Sequence, residues 1–253
     1  RDLHSFPTRR SSDLEIGIGM MVNLKGNKTH QLVDEALTLL ENMKHRGAEA
    51  ADNKSGDGAG ITVQIPHEFI LLQGIPVPER LHYGTGLVFL PQDKSKQEHY
   101  LDIIREETAK MGLELSNVRL VSVNSNILGE AARATEPCTV QIFVTGATQT
   151  EGLDTLLYKI RKHTEQRISD RDFYIVSLSS RIMVYKGMLT STQLREYYPD
   201  LSSPNFTSGL AMVHSRFSTN TFPTWSLAQP FRMLAHNGEI NTIRGNRGWM
   251  AAR

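Results

Sequence analysis

Short apolar runs alternate along the chain with segments whose apolar residues recur every three or four positions, the mixture that a layered α+β fold requires. Ile16 to Leu24 (IGIGMMVNL) reads as a strand in which Gly17 and Gly19 permit close approach to the backbone. Thr29 is placed to cap a helix with Leu32, Val33, Ala36, Leu37, Leu40 and Met43 at helical spacing. That helix ends in Lys44, His45 and Arg46, followed by Gly47, so Arg46 on this pattern alone is a partner for the helix dipole. Asn53 to Gly60 (NKSGDGAG) reads as a tight turn with positive φ angles feeding a strand at Ile61 to Ile65; the Lys-Ser/Thr and following helix of a phosphate loop are missing. Asp57 is then a turn cap, or a carboxylate that orients a neighbour.

The middle reads as scaffold. The pattern predicts a short helix near Glu68 to Leu72, a strand at Gly86 to Leu90, a helix from about Gln97 to Met111, and strands at Val118 to Val123 and Thr139 to Thr145. A helix over Thr155 to Glu165 follows, then a strand pair, Phe173 to Leu178 and Arg181 to Tyr185, and a short helix at Thr192 to Tyr197 stopped by Pro199.

The pattern changes in the last forty or so residues. The apolar run Gly209 to Val213 passes directly into His214, Ser215 and Arg216, and Met233 to Ala235 passes into His236, Asn237, Gly238 and Glu239. Two strand ends thus aim a guanidinium, a carboxamide and an unhindered glycine N–H at what could be one cleft. Arginine can grip a carboxylate through two parallel hydrogen bonds, and an Asn side chain with a Gly amide can hold an oxyanion. That is equipment for amide or acyl transfer. A helix beginning near Glu239 is still running at Arg253, with no stop signal.

Composition narrows the classes. The chain has 253 residues, 39% hydrophobic and 22% charged, as a soluble globular protein should. The first fourteen residues hold three Arg and two Asp, and removing them from 28 basic and 27 acidic residues leaves 25 of each. A neutral body argues for no nucleic acid and no membrane as partner. Cys138 is the single cysteine, which excludes a disulfide framework or a cysteine-rich metal site; at a strand start it reads as a small buried hydrophobe. No metal-ligand spacing appears among the nine His, and no apolar run approaches the roughly twenty residues of a membrane span. The expected location is cytoplasmic.

Residues 1–14 (RDLHSFPTRRSSDL) have neither an apolar core nor amphipathic period and resemble translated sequencing-adapter read-through. The expected organisation is a foreign, disordered leader over 1–14 and a partial domain over 15–253 whose C-terminal part is missing.

Four stretches carry a resemblance: GIGMMVNLKG (17–26), LENMKHRGAEAADNKSGDGAGITVQIP (40–66), FYIVSLSSRIMVYKGM (173–188) and HSRFSTNTFPTWSLAQPFRMLAHNGEINTIRGN (214–246). Together they resemble the amidotransferase domain that begins the large subunit of glutamate synthase. HSRFSTNT with HNGEINT sets that domain apart from other class II glutamine amidotransferases. The resemblance implies the N-terminal-nucleophile hydrolase fold, a four-layer αββα sandwich, and L-glutamine as substrate. It also implies residue roles: Asn237 and Gly238 as the oxyanion hole, Arg216 and Thr219 on the α-carboxylate and α-amino end of glutamine, and Arg46 as an active-site arginine. In the family a cysteine precedes the Gly-x-Gly, and its freed α-amine serves as base. Ile16 stands at that position here, joined to Glu15 by a peptide bond, so the chain as written is expected to lack glutaminase activity.

The parent implied by the resemblance transfers the ammonia to 2-oxoglutarate, with FMN and an iron-sulfur cluster in its downstream synthase domains and an NAD(P)H-oxidising small subunit as a further partner. No cofactor site is expected in this stretch. Two other readings stay open: a glutamine-binding domain that does not hydrolyse, and a different class II amidotransferase.

Overall fold

The computed structural model describes residues 17–46, 54–216, 222–232, 234 and 243–253, with Arg46 and Ile243 described by backbone alone. In chain order the elements are β1 (Gly17–Val22), α1 (His30–Asn42), β2 (Ala59–Gln64), α2 (His67–Leu72), β3 (Gly84–Leu90), α3 (Lys94–Lys110), β4 (Glu114–Leu120) and α4 (Glu130–Ala134). Then follow β5 (Cys138–Thr145), α5 (Leu153–Arg167), β6 (Tyr174–Ile175), β7 (Ile182–Gly187), α6 (Gln193–Tyr197), β8 (Leu210–Ser215) and α7 (Ile243–Ala252).

The strands form two antiparallel sheets, ordered β1-β8-β2-β7 and β4-β5-β3-β6. Helix α1 packs on β1 and β8, while α3 and α5 pack on the second sheet, giving the α+β, αββα arrangement. Side-chain alternation shows how the layers share a core. Leu87 and Phe89 of β3 join a cluster with α1 and the first sheet; Val88 and Leu90, pointing the other way, join a cluster with α3 and α5. A strand buried on both faces reads as one continuous apolar run, which is why β3 was legible in the sequence.

Local chemistry fixes the ends. Thr29 Oγ1 accepts from Leu32 N at 3.2 Å, the expected cap of α1, and Leu32, Val33, Ala36, Leu37 and Leu40 are its buried face. Asp93 caps α3 through Lys96 N at 3.0 Å, so that helix starts three residues earlier than Gln97; the apolar pattern misses a first turn made of lysines and a serine. Glu107, 2% exposed, accepts from Lys110 at 2.6 Å and Arg167 at 2.7 Å and ties α3 to α5.

Two expectations are corrected. The strand placed at Val118 to Val123 lies at Glu114–Leu120, because β4 is a sheet edge with an irregularity between Leu115 and Asn117, where exposed polar residues are tolerated and hydrophobicity marks the strand poorly. The segments at 173–178 and 181–185 do not pair with each other: β6 pairs with β3 in one sheet and β7 with β2 in the other. Asp154 pins the switch, accepting from Ser180 N at 2.8 Å and from the Ser179 hydroxyl at 3.0 Å. Among the described residues no helix is long and apolar enough to cross a membrane.

Candidate active site

Antiparallel register assembles one end of the first sheet. The outermost row reads Gly17–Ser215–Ala59–Gly187 across all four strands, and the next row reads Ile18–His214–Gly60–Lys186. Residues in one row project to one face, so His214, Gly60 and Lys186 lie side by side. Immediately beyond the outer row, Arg216 N donates to Gly58 O at 2.8 Å, extending the ladder one step past β8.

The strand therefore runs two residues further than the apolar pattern Gly209 to Val213, and it carries His214 and Ser215 within it, 0% and 1% exposed. Arg216 is 9% exposed, and one of its guanidinium nitrogens reaches Asp57 O at a long 3.5 Å. Burial pushes its pKa down, with the Asp57 carboxylate opposing. A guanidinium stays charged, so this is a partly desolvated cation held at the mouth of a sheet, a setting in which an added carboxylate is strongly favoured. Of the two readings for Asp57, the orienting one fits: its carbonyl and its charge both act on Arg216.

The glycine-rich turn works through space as much as through torsion. Gly58 has φ +139, as the turn reading requires, but Gly56 and Gly60 serve close approach: a Cβ on Gly60 would lie 2.5 Å from Gln229 O and 2.6 Å from Lys186 Cβ. The segment 222–232 packs against this end of the sheet. Ala228 sits against Gly58, Trp225 against Gly187, and Thr62 Oγ1 donates to Arg232 O at 2.8 Å.

Lys186 was missed by sequence reasoning, although an ammonium inside the apolar run Ile182–Gly187 was the available signal. It is 0% exposed, donates to Ser226 O at 2.9 Å and Ala228 O at 2.7 Å, and lies 4.6 Å from the Tyr174 ring centroid and 4.4 Å from that of Phe231. Burial, then Arg232 and Arg216, hold its pKa well below the usual lysine value. Two carbonyls and two aromatic faces partly replace its lost water, and in doing so they bind the covering segment to the sheet.

Of the residues singled out from the sequence, the structure places Arg216 at this sheet end. Ile16, Thr219, Asn237 and Gly238 lie outside the described residues, and the Arg46 side chain does too. Gly17, the start of β1, pairs with Ser215, so β1 begins at the end of the sheet where β8 delivers Arg216. Cys138 is half-buried and its thiol is pushed up by burial, in keeping with an inert packing role. No cluster of His, Cys, Asp or Glu able to hold a metal occurs among the described residues.

The sequence profile of the family "Glutamine amidotransferases class-II" matches residues 16–253. The chain belongs to that family. It is 45% identical to ferredoxin-dependent glutamate synthase 2 of Synechocystis sp., over 94% of this chain and 16% of the relative. It is 42% identical to the glutamate synthase [NADPH] large chain of Bacillus subtilis, over 94% of this chain and 16% of that one, and 41% identical to the glutamate synthase [NADH] of Saccharomyces cerevisiae, over 94% and 12%. The chain thus spans about a sixth of the length of the curated relatives it matches. The class II amidotransferase fold accounts for the two-sheet architecture.

Proposed function

We propose that this chain is the glutamine-binding part of a glutamate synthase and that, as written, it holds L-glutamine without hydrolysing it. The observation that carries the reading is Arg216, a buried cation delivered by β8 beside the start of β1. Its guanidinium takes the substrate α-carboxylate through paired charge-assisted hydrogen bonds, with Thr219 on the α-amino end and Arg46 completing the charged set. Asn237 and Gly238 supply the two donors for an oxyanion. In the parent enzyme a cysteine at position 16 attacks the carboxamide carbon and its free α-amine takes the proton. The tetrahedral oxyanion collapses with loss of ammonia, and water cleaves the glutamyl thioester. Ile16 has neither a nucleophilic atom nor a free amine, so no such step starts here.

In the same reading the released ammonia serves 2-oxoglutarate in downstream synthase domains, which hold FMN and an iron-sulfur cluster and receive electrons through an NAD(P)H-oxidising small subunit or ferredoxin. Residues 1–14 are read as foreign to the domain, and the body as working in the cytoplasm.

The test uses three proteins: the chain, its Arg216→Ala variant, and a version that begins at position 16 with Ile16→Cys. Calorimetry is expected to show L-glutamine binding to the chain and not to Arg216→Ala, with ammonia released only by the cysteine version. Ammonia release by the unaltered chain above a no-protein control refutes the inactivity; glutamine binding that survives Arg216→Ala refutes the assigned role.

A further inference from the structure

The first sheet has a second end. The strands that bring Ala59, Gly187 and Ser215 to the Arg216 side reach their opposite ends at Gln64, Ile182 and Leu210, about 16 Å away at the rise of an extended strand. A cavity of about 350 Å³ opens there. Its walls are apolar: Ile65 and Tyr83 are buried, and Ile182 and Leu210 complete them. The Tyr83 hydroxyl is already engaged by His67 Nδ1 at 3.0 Å, so the ring edge is fixed.

Three cations from three separate segments line the same cavity. Lys28 comes from the turn between β1 and α1, Arg80 from the loop before β3, and Arg181 from the turn before β7. Glu68 pairs with Arg80 at 3.1 Å and Asp154 with Arg181 at 3.3 Å, both in exposed geometry that water screens. Lys28 has no carboxylate within ion-pair distance among the described residues. Burial and then Arg80 lower its pKa, and burial followed by Arg80 does the same to His67 nearby, so the cavity mouth is a region of positive potential. Three cations against two carboxylates leave one positive charge.

We propose that this cavity is a binding site for a small organic monocarboxylate, whose apolar body lies between Ile65, Tyr83, Ile182 and Leu210 and whose carboxylate meets Lys28 and the two arginines. A monoanion balances the single excess charge, whereas a dianionic phosphate ester brings one charge too many. The volume sits at the small end of the roughly 300–1,000 Å³ usual for ligand pockets, too little for a nucleotide. The hydroxyls among its lining residues are already engaged, Ser180 Oγ donating to Asp154 at 2.9 Å and Tyr83 by His67, so the role assigned to the cavity is binding. It is independent of the glutamine reading, being at the other end of the sheet.

The test uses phenylacetate as the probe on the full chain, followed by calorimetry and by saturation-transfer NMR. Saturable one-to-one binding in the millimolar range is expected, weakened at least tenfold for the neutral analogue 2-phenylethanol and in Lys28→Glu, and unchanged in Arg216→Ala. Lys28→Met, which keeps the apolar stem, guards against a folding defect and is expected to weaken binding as well, with an unchanged melting temperature. Absence of saturable binding, equal binding of 2-phenylethanol, full binding by both Lys28 variants, or loss in Arg216→Ala overturns the proposal.

Discussion

The ammonium of Lys186 donates to the Ala228 carbonyl at 2.7 Å from a position with no exposed surface. A lysine on β7 thereby holds the segment 222–232 against the row of the sheet that also carries Gly60 and His214. The contact couples the stability of the covering segment to a single buried charge.

Lys186→Met keeps the volume and removes the donors, leaving the Ser226 and Ala228 carbonyls unsatisfied. A loss of about 2 kcal/mol near neutral pH is expected, since an orphaned buried acceptor costs about 1–3 kcal/mol and relief of the buried charge offsets part of it. The folded pKa of Lys186 lies below its unfolded value, so between the two the unfolded chain binds more protons and wild-type stability rises with pH. The variant lacks that rise. Denaturant unfolding across the alkaline range below the unfolded lysine pKa of about 10.4 should therefore show the wild-type advantage growing with pH; a pH-independent difference counts against it.

Gly60→Ala puts a methyl 2.5 Å from the Gln229 carbonyl and 2.6 Å from Lys186 Cβ, both on packed structure. Overpacking of this kind costs about 1–3 kcal/mol. Gly74→Ala meets nothing within 4 Å and costs only left-handed strain at φ +74, about 1 kcal/mol. Thermal melts of the two variants should separate them in that order.

Arg216→Lys keeps the charge and loses the paired geometry. L-Glutamine affinity is expected to fall about tenfold to a hundredfold, as loss of a charge-assisted hydrogen bond of about 1.5–3 kcal/mol implies, with Arg216→Ala weaker still. Titration calorimetry at matched ionic strength reads the difference.

Asp170 accepts from the Tyr100 hydroxyl at 2.6 Å and from Lys96 at 2.9 Å. Tyr100 first, then the Asp172 amide and Lys96, hold its carboxyl at about 2. Its folded pKa is below the unfolded value, so its contribution is present above about pH 4 and is lost as pH falls through about 2. Asp170→Asn should cost about 1 kcal/mol at neutral pH, limited because Lys96 is half exposed, and should flatten the acid limb of the stability profile. Acid titrations followed by circular dichroism test this.

One part of the candidate site was legible in the sequence. The apolar run that turns abruptly into His214, Ser215 and Arg216 marked a strand delivering polar groups, and Arg216 is where that pattern put it. Helix α1 declared itself because its cap and its one buried face are local properties of neighbouring residues. The family could be named from motifs, since a substrate imposes particular side chains in a particular order.

Tertiary structure decided what no local pattern encodes. Whether the 173–178 and 181–185 segments pair with each other or part into two sheets depends on partners roughly ninety and one hundred and twenty residues away, β3 and β2, and on Asp154 at the turn. The value of Gly60 comes from Gln229, and the burial of Lys186 from Ser226, Ala228, Tyr174 and Phe231. Hydrophobic period and capping act over one or two turns, so sequence determines which elements form and what chemistry they carry. Register and desolvation arise only when distant strands meet, and they determine which charges are buried together.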